Sequence, residues 1–220
     1  MPMWSTISHQ NSTSPLMENL SSFHDHIMII LMLVLSITGM MGILTTSKKI
    51  FIRTSKESQE MEIFWSSLPT VILMMMAIPS LKLLYLTEEQ TDPSMTMKIT
   101  GHQWYWSYEY SDIKKISFDS FMTTKNPRNL MTSNHTILPT KSPIRFLITS
   151  TDVIHSWAMP SMGMKMDAMP GRMNQFSSTI SRSGMYSGQC SEICGMKHSF
   201  MPITISSIPP QEFYKSMKMM

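Results

Sequence analysis

Tyr186-Ser-Gly-Gln-Cys190-Ser-Glu192-Ile-Cys194-Gly-Met-Lys-His198-Ser-Phe-Met201-Pro202 is the stretch on which the fold turns. It contains both cysteines of the 220-residue chain, with His198 four residues after the second and Met201 three further on. Two thiols, an imidazole and a thioether within twelve residues form a soft donor set, better suited to copper than to a hard cation. A loop of this kind has to be held by neighbouring strands, and Ile203 and Ile205 alternate with polar residues just after it.

A second imidazole is available upstream. Ser150-Thr-Asp-Val-Ile-His155-Ser-Trp157 follows a segment in which Ile144, Phe146 and Ile148 alternate with polar positions. One histidine from an earlier strand, with the other ligands on a loop between two later strands, is the layout of blue-copper folds. A mononuclear site of that type uses one Cys, two His and a weak axial Met. Here a second Cys is present. Cys190, Cys194, His155, His198 and Met201, with one backbone carbonyl, would give each of two sulfur-bridged coppers two thiolates, one imidazole and one weak axial donor.

Other chemistry fits the same residues. A Cys190–Cys194 disulfide is possible in an oxidising compartment, and structural zinc accepts two Cys and two His. Zinc would leave Met201 idle, although with 27 methionines in the chain one Met carries little weight. A nucleophilic thiol is poorly supported, because the loop lacks a Cys-His-Asn/Asp arrangement independent of metal binding.

Residues 87 to 220 read as one β-domain. Met95, Met97 and Ile99 alternate with polar residues, and Asn126-Pro127, Pro139-Thr140 and Pro170-Gly171 break the runs. In Gly101-His-Gln-Trp-Tyr-Trp-Ser-Tyr-Glu-Tyr110, a period of two places Trp104, Trp106, Tyr108 and Tyr110 on one face and Tyr105 and Glu109 on the other. Most of these rings read as core. An exposed indole among them could stand between a redox partner and a buried metal.

The first third of the chain is different. Ile27 to Ser47 has no charge over 21 residues, and Ile63 to Leu81 none over 19. Each is long enough to cross the hydrocarbon core of a bilayer. Pro69 and Pro79 fall in the second run, which spanning helices tolerate. The expectation is a transmembrane hairpin, with spans at 27–47 and 63–86 joined by a connector at 48–62. Lys48, Lys49, Arg53 and Lys56 lie in that connector and no Lys or Arg precedes residue 27, so the connector is expected to face inward. The segment 1–26 and the domain from 87 then face outward. Segment 1–26 lacks the basic start of a secretory signal. His24 and His26 read as interfacial polar residues rather than metal ligands, and Glu62 as a solvated helix-end charge or the mouth of a proton path. A net charge of +3 without a basic cluster argues against nucleic acid.

Taken together, the hairpin, the Gly101–Tyr110 aromatic run, Asp152-Val-Ile-His155-Ser-Trp157, Pro170-Gly-Arg172 and Gly188-Gln-Cys190-Ser-Glu-Ile-Cys194 through Pro202 resemble subunit II of mitochondrial cytochrome c oxidase over essentially the whole chain. The methionine-rich apolar segments also suit a protein encoded by an AT-rich mitochondrial genome. The resemblance implies a two-helix hairpin followed by a cupredoxin-like Greek-key β-barrel in the mitochondrial inner membrane, with both termini in the intermembrane space. It implies a binuclear CuA centre held by His155, Cys190, Cys194, His198, Met201 and the carbonyl of Glu192. The Glu192 carboxylate would help bind a Mg2+ shared with subunit I. Trp104 would be where electrons from reduced cytochrome c come in, and Glu62 the mouth of a proton path. Partners would be subunit I, which carries the haems and reduces O2 to water with proton pumping, subunit III, accessory subunits and lipid.

The docking surface departs from the family habit of surrounding this region with acids. Glu109, Asp112 and Asp119 remain as candidate contacts for cytochrome c, but Lys114 and Lys115 interrupt them. From residue 87 onward there are 13 Lys and Arg against 10 Asp and Glu. A membrane-anchored carrier of exchangeable Cu(I) and a zinc-stabilised anchoring domain are the readings from other classes. Copper content and a mixed-valence spectrum separate them from an electron relay.

Overall fold

The computed structural model describes residues 8–47, 57–89, 92–112, 116–124 and 127–219. The connector lysines and Arg53, together with Lys114, Lys115 and Asn126, lie outside them. The chain divides into two units: one of residues 19–87, the other of residues 1–18 and 88–220.

Two long helices, α1 (Pro15–Ser47) and α2 (Gln59–Glu88), make up nearly all of the first unit. Helix α1 begins twelve residues before its charge-free run, because Ser14 caps it. The Ser14 hydroxyl accepts the Met17 N–H at 3.1 Å, Pro15 follows at the first helical position and Glu18 sits in the first turn. Glu60 and Glu62 play the same part at the start of α2. Both helices expose large apolar side chains all round, among them Ile29, Ile43, Leu73 and Ile78. In water that surface would cost about 25 cal/mol per Å², so it belongs in lipid. Ser66 and Thr70 donate to the carbonyls of Glu62 and Ser66, both at 2.8 Å, keeping their hydroxyls satisfied without water.

The second unit is a β-sandwich, with ten strands in two sheets among the described residues. The first sheet has the order β3 (Ile116–Ser120), β2 (Tyr105–Tyr110), β1 (Met95–His102), β5 (Pro143–Ser150) and β8 (Asn174–Thr179). The second has β4 (Thr136–Pro139), β10 (Pro202–Ile208), β9 (Gly184–Cys190), β6 (His155–Met159) and β7 (Met164–Ala168). Most neighbours are antiparallel, but β1 runs parallel to β5 and β4 to β10. The alternating residues point inward: Met97, Ile99, Ile144, Phe146, Ile148, Ile203 and Ile205 are all fully buried. Between the sheets, Phe146 stacks on Phe176 at 4.9 Å and packs against Trp157 at 5.7 Å. A short helix, α3 (Pro210–Met219), closes one end by burying Phe213 and Met217.

The chain just before α1 is stitched to this sandwich. Thr13 donates its N–H to Ser161 O at 2.8 Å and accepts the Ser181 N–H at 2.7 Å, while the Ser14 hydroxyl donates to Met162 O at 2.6 Å. Thr13 and Ser14 are buried as a result.

The aromatic run is where sequence pattern and structure part. Gly101 to Tyr110 is a hairpin rather than one strand: His102 pairs with Tyr105, and Gln103 and Trp104 form the two-residue turn. Trp106, Tyr108 and Tyr110 face the core as their period requires, whereas Trp104 lies in the turn, half-buried and packed against the edge of the core.

Candidate metal centre and relatives

Strand pairing assembles the site. Trp157 of β6 pairs with Cys190 of β9, so His155 at the start of β6 lies beside the end of β9. Pro202 of β10 pairs with Gln189, which pins both ends of the loop that carries Cys194, His198 and Met201. A ring nitrogen of His155 and the sulfurs of Cys190 and Cys194 all lie within 4.8 Å of one another, and all three residues are buried. Cys194 Sγ is 3.4 Å from His198 Nδ1 and 3.4 Å from Met201 Sδ. The carbonyl of Glu192 turns inward to accept from Cys190 Sγ at 3.3 Å. Five side chains and one carbonyl thus converge, with both cysteines free.

The electrostatics are those of a site made for a cation. Burial opposes ionisation of Cys190, but the adjoining His155 imidazole and the backbone at Ser156 and Glu192 outweigh it and lower the thiol below its ordinary range. Burial, together with the charge of Cys190, pushes the Cys194 thiol up to about 12. Two thiolates cannot share this enclosure until positive charge enters with them. Burial alone would lower His155, but Cys190 and Asp152 hold it above its usual value. His155 Nδ1 is buried without a hydrogen-bond partner among the described residues. An orphaned imidazole nitrogen, two opposed thiols and a buried thioether fit copper.

Residues not singled out from sequence hold these ligands in place. Asp152 Oδ1 accepts from His155 Nε2 at 2.8 Å, and its Oδ2 accepts the Gln103 N–H at 2.6 Å. Trp106 packs edge-on against the His155 ring at 5.8 Å and donates Nε1–H to Met201 O at 3.3 Å. Gly101 leaves room for the imidazole: a Cβ there would lie 2.9 Å from His155 Cδ2. The spacing of Asp152, three residues before His155, was the one available sequence signal. Trp106 showed only as core, and Gly101 only as the start of the aromatic run.

Trp104 rests on the ligand loop. A Cβ on Gly195, whose φ is +124°, would meet Trp104 Cζ2 at 3.2 Å and Nε1 at 3.3 Å. Lys197 Nζ stands 5.8 Å above the indole. Gln103 Nε2 donates to Cys194 O at 2.8 Å, so the hairpin tip is fastened directly to a cysteine of the cluster. Glu192 directs its side chain to solvent, in an open groove shared with Lys165, Asp167, Arg172 and Asn174. Glu62 is exposed in the first turn of α2. Each of the three candidate docking acids has a partner of its own. Glu109 is paired with Lys98 at 3.5 Å, Asp112 accepts the Thr96 N–H at 2.6 Å, and Asp119 accepts the Ser107 hydroxyl at 2.7 Å. His24 and His26 are on helix α1.

A membrane-anchored cupredoxin-like domain with a thiolate-rich loop defines a class of redox proteins. The family model described as cytochrome c oxidase subunit II, periplasmic domain, matches residues 95–208, and that of the subunit II transmembrane domain matches residues 2–83. Cytochrome c oxidase subunit 2 of Culex quinquefasciatus is 50% identical, with 98% of this chain and 97% of the relative covered. The same subunit of Ctenocephalides felis is 49% identical over the same shares. The crystal structure of the periplasmic domain of cytochrome oxidase subunit II from Bradyrhizobium japonicum is 44% identical with a TM-score of 0.57, covering 59% of this chain and 94% of that one. The chain belongs to the cytochrome c oxidase subunit II family. It is the electron-accepting subunit of a terminal respiratory oxidase, embedded in the membrane beside the other oxidase subunits, and its family implies a copper centre.

Proposed function

We propose that this subunit takes electrons from reduced cytochrome c at a binuclear CuA centre held by His155, Cys190, Cys194, His198, Met201 and the Glu192 carbonyl. The convergence of an imidazole, a thioether and the Cys190 neighbourhood on Cys194 carries this reading. Bound there, the copper pair would accept single electrons and give them up toward the haem of subunit I. The chain itself supplies rigidity. His155 is clamped between Asp152, Trp106 and Gly101, and the loop ends are fixed by β-pairing, so the ligands are set before any electron arrives.

Trp104 is proposed as the point of electron uptake, because its indole sits on Gly195, next in sequence to Cys194. The exposed Glu192 carboxylate is proposed to help bind Mg2+ at the junction with subunit I. Glu62 is proposed to stand at a proton path. Glu109, Asp112 and Asp119 offer cytochrome c a spread, partly neutralised set of acids. The domain plan of 1–26, two spans at 27–47 and 63–86, a connector at 48–62 and the metal domain from 87 is proposed with both ends in the mitochondrial intermembrane space. The hydrogen bonds that Thr13 and Ser14 donate to Ser161 and Met162, and the one Thr13 accepts from Ser181, support that orientation, since they keep residues 13 and 14 on the side of the metal domain.

The test is optical and paramagnetic spectroscopy of the purified oxidase. The expected result is a coloured centre whose unpaired electron is shared by two coppers, lost in both Cys190→Ser and Cys194→Ser. A colourless, exchangeable Cu(I), or zinc in its place, would refute the reading.

A further inference from the structure

Two stripes of side chains meet at one end of the helical unit. On α1 they are Asn19, Ser22, Phe23 and His26, and on α2 Pro79, Lys82, Leu83 and Leu86. Both sets follow the spacing i, i+3, i+4, i+7, which puts four residues on one face of a helix. Between them lies a cleft of about 290 Å3. Its depth in the bilayer is set by sequence: His26 directly precedes the charge-free run of α1, and Lys82 directly follows that of α2. The polar groups therefore stand at the edge of the hydrocarbon core, where lipid phosphates lie. Phe23 and Leu83, both half-buried, form the apolar side together with Pro79 and Leu86. Among the described residues no Asp or Glu lines the cleft, and Lys82 forms no ion pair. Asp25, next in sequence to His26, lies instead 3.3 Å from His24 Nδ1.

We propose that this cleft is a binding site for the phosphodiester of an anionic phospholipid, shared between the two spans. The Lys82 ammonium has three donors and no acceptor, and the Ser22 hydroxyl and Asn19 amide add donors from the facing helix. One diester phosphate carries one negative charge, which the charge of Lys82 balances. The glycerol and first acyl carbons lie along Phe23, Leu83 and Pro79, a surface that free inorganic phosphate would leave uncovered. A choline or ethanolamine headgroup brings an ammonium that needs a carboxylate, and the cleft offers none, so a lipid with an uncharged headgroup is preferred. A lysine that only marked the membrane boundary would snorkel into water and need nothing from α1. The donors facing it across the cleft distinguish a site from a boundary marker.

The experiment uses the assembled oxidase in lipid nanodiscs containing phosphatidylglycerol with a photoreactive group near the start of one acyl chain. Peptide mapping after illumination is expected to find the label on residues 19–26 and 79–86. Excess phosphatidylglycerol should displace it, and equal amounts of phosphatidylcholine or inorganic phosphate should not. Lys82→Gln is expected to lower labelling on the order of 5-fold and Lys82→Arg to restore it, with copper content unchanged in both. Ser22→Ala should lower it as well, which a boundary lysine acting alone would not produce. Full labelling in Lys82→Gln, or equal displacement by phosphatidylcholine, would overturn the proposal. Displacement by inorganic phosphate would overturn the lipid as its source. If the variants do not assemble, the competition series on the unaltered oxidase still decides. Absence of label from both segments there would mean that the cleft is closed to lipid, and would refute the site.

Discussion

Gly101→Ala puts one methyl group against the buried imidazole of the metal cluster. The new Cβ would lie 2.9 Å from His155 Cδ2, 3.1 Å from Cγ and 3.2 Å from Cβ. Carbon atoms rest at about 3.5–4.0 Å, so the ring has to retreat by roughly 0.6 Å or more. The strand cannot give way easily, because Gly101 O accepts both the Ser150 hydroxyl and the Thr151 N–H, each at 3.3 Å. Nor is there free space behind the ring, which is fully buried against Trp106. Overpacking of this kind costs about 1–3 kcal/mol, and the displacement falls on the 2.8 Å bond from Nε2 to Asp152. Disturbing such a ligand support weakens metal binding about 10–100-fold. The assay is copper retention by purified oxidase under graded chelator, read with the paramagnetic spectrum. Gly171→Ala is the control: φ there is +71°, but nothing lies within 4 Å of the added Cβ, so it costs backbone strain without touching the cluster. Equal copper retention by Gly101→Ala, Gly171→Ala and the parent would refute the reasoning.

Gly195→Ala combines a φ of +124° with a Cβ 3.2 Å from Trp104, so it is expected to shift the indole and slow uptake from cytochrome c severalfold, and an unchanged rate would count against Trp104 as the uptake point. Lys98→Ala frees Glu109 from a 3.5 Å ion pair; turnover with cytochrome c should then fall more steeply with added salt than in the parent, whose slope is itself expected to be shallower than that of a more acidic relative. Equal slopes would sink that account. Burial holds the Tyr110 phenol protonated well above its ordinary value near 10. The folded domain therefore keeps a proton that the unfolded chain releases, and stability present below pH about 10 is lost as pH rises beyond it. Tyr110→Phe should remove that part of the alkaline slope. It should also cost about 1–3 kcal/mol at neutral pH, since Ile137 loses its partner at both N–H and C=O; alkaline denaturation curves of the two proteins check both points.

The candidate ligands were legible as a group because each is a side chain whose element type and spacing are written along the chain. Cys190, Cys194, His198 and Met201 lie within one loop, and only His155 had to be fetched from elsewhere. The inward strand positions were legible for a similar reason, since alternation survives folding. Trp104 was read as part of a strand because a period of two continues smoothly across a tight turn: nothing in His-Gln-Trp-Tyr has the Asn-Gly or Asp-Gly composition that marks a two-residue hairpin. The start of α1 was hidden because charge-free counting sees only lipid-compatible residues, whereas the helix starts at its Ser14-Pro15 cap. Asp152 and Gly101 were out of reach for a deeper reason. One acts by where its two oxygens point and the other by what it lacks, and both depend on β1, β5 and β6 meeting at a single corner.

That corner also says why a relay is built on this fold rather than on a flexible copper loop. Fast electron transfer needs a donor contact and a metal cluster whose separation does not fluctuate, and each here is immobilised through the other. The Gln103 side chain holds Cys194 O, the Gln103 backbone holds Asp152, Asp152 holds His155, and the Trp104 ring closes over Gly195. Every link except the last is a hydrogen bond of 2.8 Å or less. A distortion at the hairpin tip therefore reaches the ligands through only two or three contacts. On the proposed reading, the surface that would meet cytochrome c and the cluster that would receive its electron form one mechanical unit, so substitutions at the tip should alter the copper spectrum even where no ligand has been touched.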